Sequence, residues 1–354
     1  MKTKKMSRRA WLALTLSLLF LLLGALAALV IAVDPFQIYR LASSYLPPID
    51  NTTQVYSNAG IARHYEYDSA IVGTSVTENF RPSYMEEKLG GRFIKLCTSA
   101  GTVYNHALLL RLAFQNHEMR RVVYGLDVYS LVGEVDKTGS AVPFYLYDDS
   151  LPNDVAYWLN RSVIASFIPR CLRAWGQVQD DSIRDTMYSW AGRDEYGPVA
   201  LYNAQFTAPQ QMLPADTHLQ RGLANLKAHL TPFIEAHPET VFQIFFPPYS
   251  AAEWATMESR GTLEAVLALR ALAYDTLSAY ENVTLYDFAA QEDWVLNLDN
   301  YKDTTHYGVW INDAITDAIA SGEGIVSSRS RLDEATARLH TWADEQIAAG
   351  GWVF

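Results

Sequence analysis

The chain has 354 residues, 49% of them hydrophobic and 12% aromatic, which supports a substantial core and excludes a disordered polypeptide. Thirty-nine acidic residues against 28 basic ones give a formal charge of −11, so nothing in the balance supplies a basic footprint for nucleic acid. Such an acidic surface is not expected to cling to anionic lipid. The two cysteines, Cys97 and Cys171, are too few for a disulfide framework or a metal cluster; they read as isolated buried thiols, with a single pairing in an exported protein as the alternative.

Residues 1–9 carry Lys2, Lys4, Lys5, Arg8 and Arg9, and read as a cytoplasmic tail. From Ala10 to Val33 no residue is charged. As a helix this run extends roughly 36 Å, enough for a hydrocarbon core of ~30 Å. Basic residues stand only on its N-terminal side, so the positive-inside rule predicts a single-pass anchor in the cell membrane, with everything after Val33 extracytoplasmic. A cleaved signal peptide ending at Ala25-Leu26-Ala27 is the competing reading. Its apolar core would be about 7–15 residues, and this run continues past that point without a polar break.

Residues 34–66 form a juxtamembrane segment broken by the turn-rich stretch from Leu46 to Asn51. Short apolar runs then alternate with helical patterns, which predicts βαβ units around a parallel sheet. Strands are expected at 67–73, 93–97, 121–127, 241–246 and 283–287. Helices are expected around 82–89, through Leu108, Leu109, Leu112 and Phe114, and at 219–235, 251–279 and 307–320. Residues 134–211 break this rhythm with aromatic-rich turns and read as an insertion, a candidate lid, in a domain spanning 67–322. Residues 323–354 predict a C-terminal helix through Leu332, Ala335, Leu339 and Trp342.

Ser75 directly follows the first strand, at the strand end where open α/β sheets place their sites. Alone it is an ordinary post-strand serine. Asp303-Thr304-Thr305-His306 lies after the last strand, and its spacing of three lets the carboxylate orient one imidazole nitrogen while the other faces a nucleophile. Ser75, Asp303 and His306 are therefore the candidate catalytic set. The other histidines (His64, His106, His117, His218, His229, His237 and His340) have no comparable setting and are expected on the surface or on helices.

Gly73-Thr74-Ser75 after a first strand, Gly101 after a second, Gly125-Leu126-Asp127 after a third and Asp303-x-x-His306 before a last helix resemble the block order of the SGNH/GDSL hydrolase superfamily. With the N-terminal anchor, the chain looks closest to bacterial extracytoplasmic SGNH-like proteins that accompany membrane-bound O-acyltransferases, such as the D-alanyl transfer and alginate acetylation proteins. The stretch Phe245-Phe246-Pro247-Pro248-Tyr249-Ser250 is also similar to such proteins, with no chemical role attached. The resemblance implies a three-layer α/β sandwich with a parallel, flavodoxin-like sheet. It implies Ser75 as nucleophile, His306 as general base and Asp303 as its orienter, with the backbone N–H groups of Ser75 and Gly101 in an oxyanion hole. Where the superfamily carries an asparagine after the third block glycine, this chain has Asp127, which cannot donate a hydrogen bond when ionised. Either Asn105 or the amide of Asn79 substitutes as donor, or Asp127 has a structural role.

The leading expectation is a serine esterase or O-acyltransferase acting on a cell-envelope polysaccharide or a teichoic-acid-like polymer, without cofactor or metal. Its partners would be the bilayer, through residues 10–33, and a membrane-bound O-acyltransferase. A catalytically silent polymer-binding or scaffold protein is the second reading. A metal-dependent enzyme has little support, since no His/Asp/Glu cluster has ligand spacing.

Overall fold

The computed structural model describes residues 6–192, 194–204 and 215–350. Lys2, Lys4 and Lys5 of the tail, the expected end of the insertion near residue 211, and residues 351–354 lie outside them.

Helix α1 (Arg8–Val33) is capped by Ser7, whose hydroxyl accepts from the Ala10 N–H at 3.2 Å. It is apolar all round and exposed for nearly its whole length, and it is long and apolar enough to cross a membrane. Only its end is packed, where Val30 and Val33 are buried. Asp34 then turns the chain in a left-handed conformation (φ +50°), its carboxylate accepting from the N–H groups of Ile38 at 3.0 Å and Tyr39 at 2.8 Å. The Tyr45 hydroxyl donates to the Val33 and Asp34 carbonyls at 2.6 and 2.7 Å. Next, α2 (Gln54–His64) lies so close to this junction that a Cβ at Gly60 would stand 2.1 Å from the Phe36 carbonyl oxygen.

The centre is a five-stranded, wholly parallel sheet in the order β2-β1-β3-β4-β5, formed by β1 (Ser69–Gly73), β2 (Phe93–Cys97), β3 (Arg121–Gly125), β4 (Val241–Phe246) and β5 (Val283–Asp287). Every residue of β1 and β2 is buried, as both faces of such a sheet are covered. Between β1 and β2 runs α3 (Pro82–Leu89), and between β2 and β3 runs α4 (Val103–Asn116). The segment after β3 holds short helices: α5 (Val128–Leu131), α6 (Val155–Trp158), α7 (Ile168–Arg173), α8 (Ile183–Thr186) and α9 (Pro198–Ala204). Tyr147, Tyr157 and Tyr188 in it are buried, so it is packed into the core. The chain continues through α10 (Ala215–His229), α11 (Thr231–Ala236), α12 (Ala251–Ser259), α13 (Leu263–Leu277), α14 (Glu292–Val295), α15 (Val309–Ser321) and α16 (Arg329–Ala348). α3 packs with α15, whereas α2, α4, α10 and α13 form a second contiguous layer. Sequential βαβ crossovers of one hand put those two layers on opposite faces, giving three layers.

Strands β2, β4 and β5 and helix α3 occupy the expected residues. Two expected long helices are broken. The one at 219–235 divides at Leu230, because Pro232 in the first turn of α11 has no N–H to extend the ladder. That at 251–279 divides at Gly261, which turns through φ +67°. Cys97 in β2 and Cys171 in α7 are both buried and free.

Candidate active site

The strand order reverses at β1: the chain leaves β1 toward β2, and leaves β3 in the other direction toward β4. The crevice at such a switch point, beyond the C-terminal strand ends, is where open sheets place ligands. Ser75 opens the one-turn 3-10 helix Ser75–Thr77 directly after β1. This turn sits hard on the sheet, since a Cβ at Gly73 or at Gly125 would each meet the Thr77 methyl at 2.6 Å. Both strand-end glycines are therefore required by the close approach of Thr77.

From 231 residues away, His306 brings its Nε2 to 2.7 Å from the Ser75 hydroxyl. Its Nδ1 lies 2.9 and 2.8 Å from the two Asp303 oxygens. With Asp303 ionised, Nδ1 carries the proton and donates, so Nε2 accepts from Ser75. Burial pushes the Asp303 carboxyl up, but His306, through its ring and charge, and the N–H groups of His306 and Thr305 outweigh that and hold it at about 2. The imidazole is a quarter exposed, so the set opens to solvent.

The loop carrying Asp303 is braced from β4. Pro247-Pro248-Tyr249-Ser250, which carried no role in the sequence, supplies the brace. Tyr301 donates its hydroxyl to the Pro248 carbonyl at 2.8 Å, and the Thr304 carbonyl accepts from the N–H and hydroxyl of Ser250 at 3.1 and 2.8 Å. Glu253, buried and with its pKa raised by that burial, accepts from the Thr304 side chain and the Tyr129 hydroxyl.

Of the groups expected around the oxyanion hole, Asp127 and the Gly101 N–H are committed to other partners. Asp127 accepts from the Thr74 hydroxyl at 2.7 Å, the Tyr249 hydroxyl at 2.5 Å and the Tyr129 N–H at 2.9 Å, capping α5. It is an acceptor that fixes the residue before Ser75. The Gly101 N–H donates to the Thr98 carbonyl at 2.9 Å and is spent inside a turn. Asn105 is the third residue of α4, and its Oδ1 accepts from the N–H groups of Thr102 and Gly139 at 3.0 and 2.8 Å. The Oδ1 of Asn79 accepts from the Trp190 and Ala191 N–H groups and the Ser189 hydroxyl, while its Nδ2 is buried beyond the reach of a substrate oxygen. The Ser75 N–H, at the head of its turn, has no acceptor within that turn.

Residues that the sequence did not single out complete the wall. Trp190 stands edge-on to the His306 ring at 5.6 Å and donates its indole N–H to the Ser75 carbonyl at 3.4 Å. Lys302 lies 3.9 Å above the indole and pairs with Asp194 at 3.1 Å. Glu78, three residues after Ser75, is buried and raised in pKa by burial, and it accepts from Asn51, Gln54 and Ser99. Beneath it, burial pushes Lys95 down to about 8 while its ammonium donates to the Glu78 and Asp185 carbonyls. His106, expected on a helix or the surface, is fully buried in α4, with Nδ1 2.6 Å from the Tyr124 hydroxyl, and burial drives its pKa to about 3. Among the described residues no group of three His, Cys, Asp or Glu side chains is placed to hold a metal ion. A cavity of about 720 Å³ opens at the opposite, N-terminal edge of the sheet, between Gly91, His117, Arg121 and His237, and contains none of the Ser75–His306–Asp303 set.

No protein-family model and no curated protein matches this chain. A solved structure provisionally described as a platelet activating factor from Streptococcus pneumonia aligns with it at 10% identity and a TM-score of 0.40, covering 77% of this chain and 91% of that one.

Proposed function

We propose that the chain is an extracytoplasmic serine acyl-transfer enzyme, an esterase or O-acyltransferase of SGNH type, held to the membrane by α1 and acting on a cell-envelope polymer. The observation that carries it is the Ser75 hydroxyl 2.7 Å from His306 Nε2, with the other ring nitrogen on the Asp303 carboxylate. In this reaction Ser75 Oγ attacks the ester carbonyl carbon and its proton passes to His306 Nε2. The carbonyl–alkoxy bond breaks, and the departing oxygen takes that proton. Asp303 keeps the ring in the tautomer that can accept, and stabilises the imidazolium. Water attacking the acyl-Ser75 ester makes the protein an esterase; a polymer hydroxyl makes it a transferase.

One observation favours a second reading, a silent binding partner of a membrane-bound O-acyltransferase. Asp127 and the Gly101 N–H are both committed elsewhere, so neither position supplies the oxyanion donor that the superfamily pattern places there. Fluorophosphonate labelling separates the two. The enzyme labels at Ser75, loses the label in Ser75→Ala, and loses acyl-transfer rate on the order of 10⁴-fold in Asp303→Asn. An unlabelled wild type, with normal polymer acylation in cells carrying Ser75→Ala, ends the enzyme reading.

A further inference from the structure

The anchor helix ends against a surface that is unlike the rest of the molecule. Between Asp154 and Asp180 there is no acidic residue, although the chain has 39, and Arg161, Arg170 and Arg173 fall in that interval. The same interval exposes large apolar side chains: Val155 47%, Leu172 51%, Trp175 60% and Val178 67%. Helices α6 and α7 and the π-helical turn Val163–Phe167 between them pack against α1. Leu41, 40% exposed, and Trp175 border one small hollow together with Ala32 and Val33 at the end of that helix. Trp175 is fixed there by bridging to Tyr45, with ring centroids 6.3 Å apart.

We propose that the segment from Val155 to Val178, with Leu41, lies in the headgroup layer of the bilayer that α1 crosses; this rests on reading α1 as a membrane span. The helix is 26 residues long, roughly 39 Å against a hydrocarbon core of ~30 Å, so its last turns emerge at headgroup level. Whatever surrounds those turns lies at the same depth. Indole rings favour that layer, and arginines place their stems in it with the guanidinium toward phosphate. A segment with three arginines and no acidic residue of its own, only Arg170 of them paired among the described residues with a carboxylate, Asp50, is complementary to an anionic leaflet even though the chain as a whole is acidic. The same face leads to the candidate site: Arg170 pairs with Asp50 at 2.8 Å, and the neighbouring Asn51 donates to Glu78 at 2.8 Å, three residues from Ser75. Contact with lipid would hold the Ser75 crevice at a fixed attitude to the membrane.

The test uses the full chain in lipid nanodiscs, with single cysteines carrying an environment-sensitive fluorophore and with lipids brominated in the upper acyl chain. Cys97 and Cys171 are buried and stay unlabelled in the folded protein. Leu172→Cys and Trp175→Cys are expected to be quenched, as is Phe20→Cys inside α1. Glu334→Cys, exposed on α16, which packs on α12 and α13, is expected to keep its intensity. Quenching at 20 without quenching at 172 and 175 overturns the inference and leaves the span intact. Loss of quenching at all three overturns both. Shielding at 172 and 175 only after a membrane protein partner is added also overturns it, because the face then belongs to that partner.

Discussion

Asp303 spends its carboxylate on its own loop, accepting from the Thr305 and His306 N–H groups before it reaches the imidazole. Its folded pKa of about 2 lies below the ~3.9 of an unfolded aspartate. A depressed carboxyl contributes stability above the unfolded value and loses it as pH falls through the folded one. The span is worth about 2.6 kcal/mol. Asp303→Asn in detergent should therefore unfold at a lower temperature than wild type near neutral pH, and the gap should close between about pH 4 and pH 2. A constant gap would mean that the carboxylate is not held down. Asp127 is the second residue to test. It couples Thr74 to Tyr249, so Asp127→Ala and Tyr249→Phe should each cost about 1–3 kcal/mol. Since they share a hydrogen bond, the double variant should cost less than their sum in denaturant titrations.

Elements far apart in the chain form the site wall, and single side chains hold them there. The segment 189–191 is suspended from the Asn79 Oδ1, which keeps Trp190 against His306. Asn79→Ala should release it, weakening turnover and thermal stability together. Asn79→Asp keeps an acceptor for the same donors and should restore both; equal loss in the two variants would refute the acceptor role. Elsewhere, α2 meets the turn at Phe36 and Gln37 across Gly60. A methyl there meets backbone oxygens at 2.1 and 2.5 Å, with no flexible side chain to give way. Gly60→Ala should lower the unfolding midpoint as overpacked cores do, by about 1–3 kcal/mol. An unchanged midpoint would show that α2 can slide on the junction.

For the whole molecule, Asp34, Tyr45 and Gly60 make the passage from α1 into the domain a packed joint. The proposed orientation has a direct test. A reporter that is active only in the cytoplasm, fused after Phe354, should be silent, and the protein should stay with the membrane pellet in alkaline carbonate. An active reporter would reverse the topology, and release into the supernatant would remove the anchor.

The apolar N-terminal helix, the strands β2, β4 and β5, and the candidate set of Ser75 and Asp303-x-x-His306 were legible in the sequence because each is a local pattern. Continuous hydrophobicity, short β-branched and aromatic runs, and a three-residue spacing all act within a few positions. The helix breaks at Leu230 and Gly261 were also locally encoded, in Pro232 and Gly261, although the periodicity ran across them. What only the tertiary structure decided is who meets whom. That Asp127 is satisfied by Thr74 and Tyr249, that Gly101 is spent on Thr98, and that Trp190 reaches His306 all depend on how the layers and the long segment after β3 close over the strand ends. A side chain's type states what hydrogen bonds it can make, and packing decides which of them remain free for a substrate.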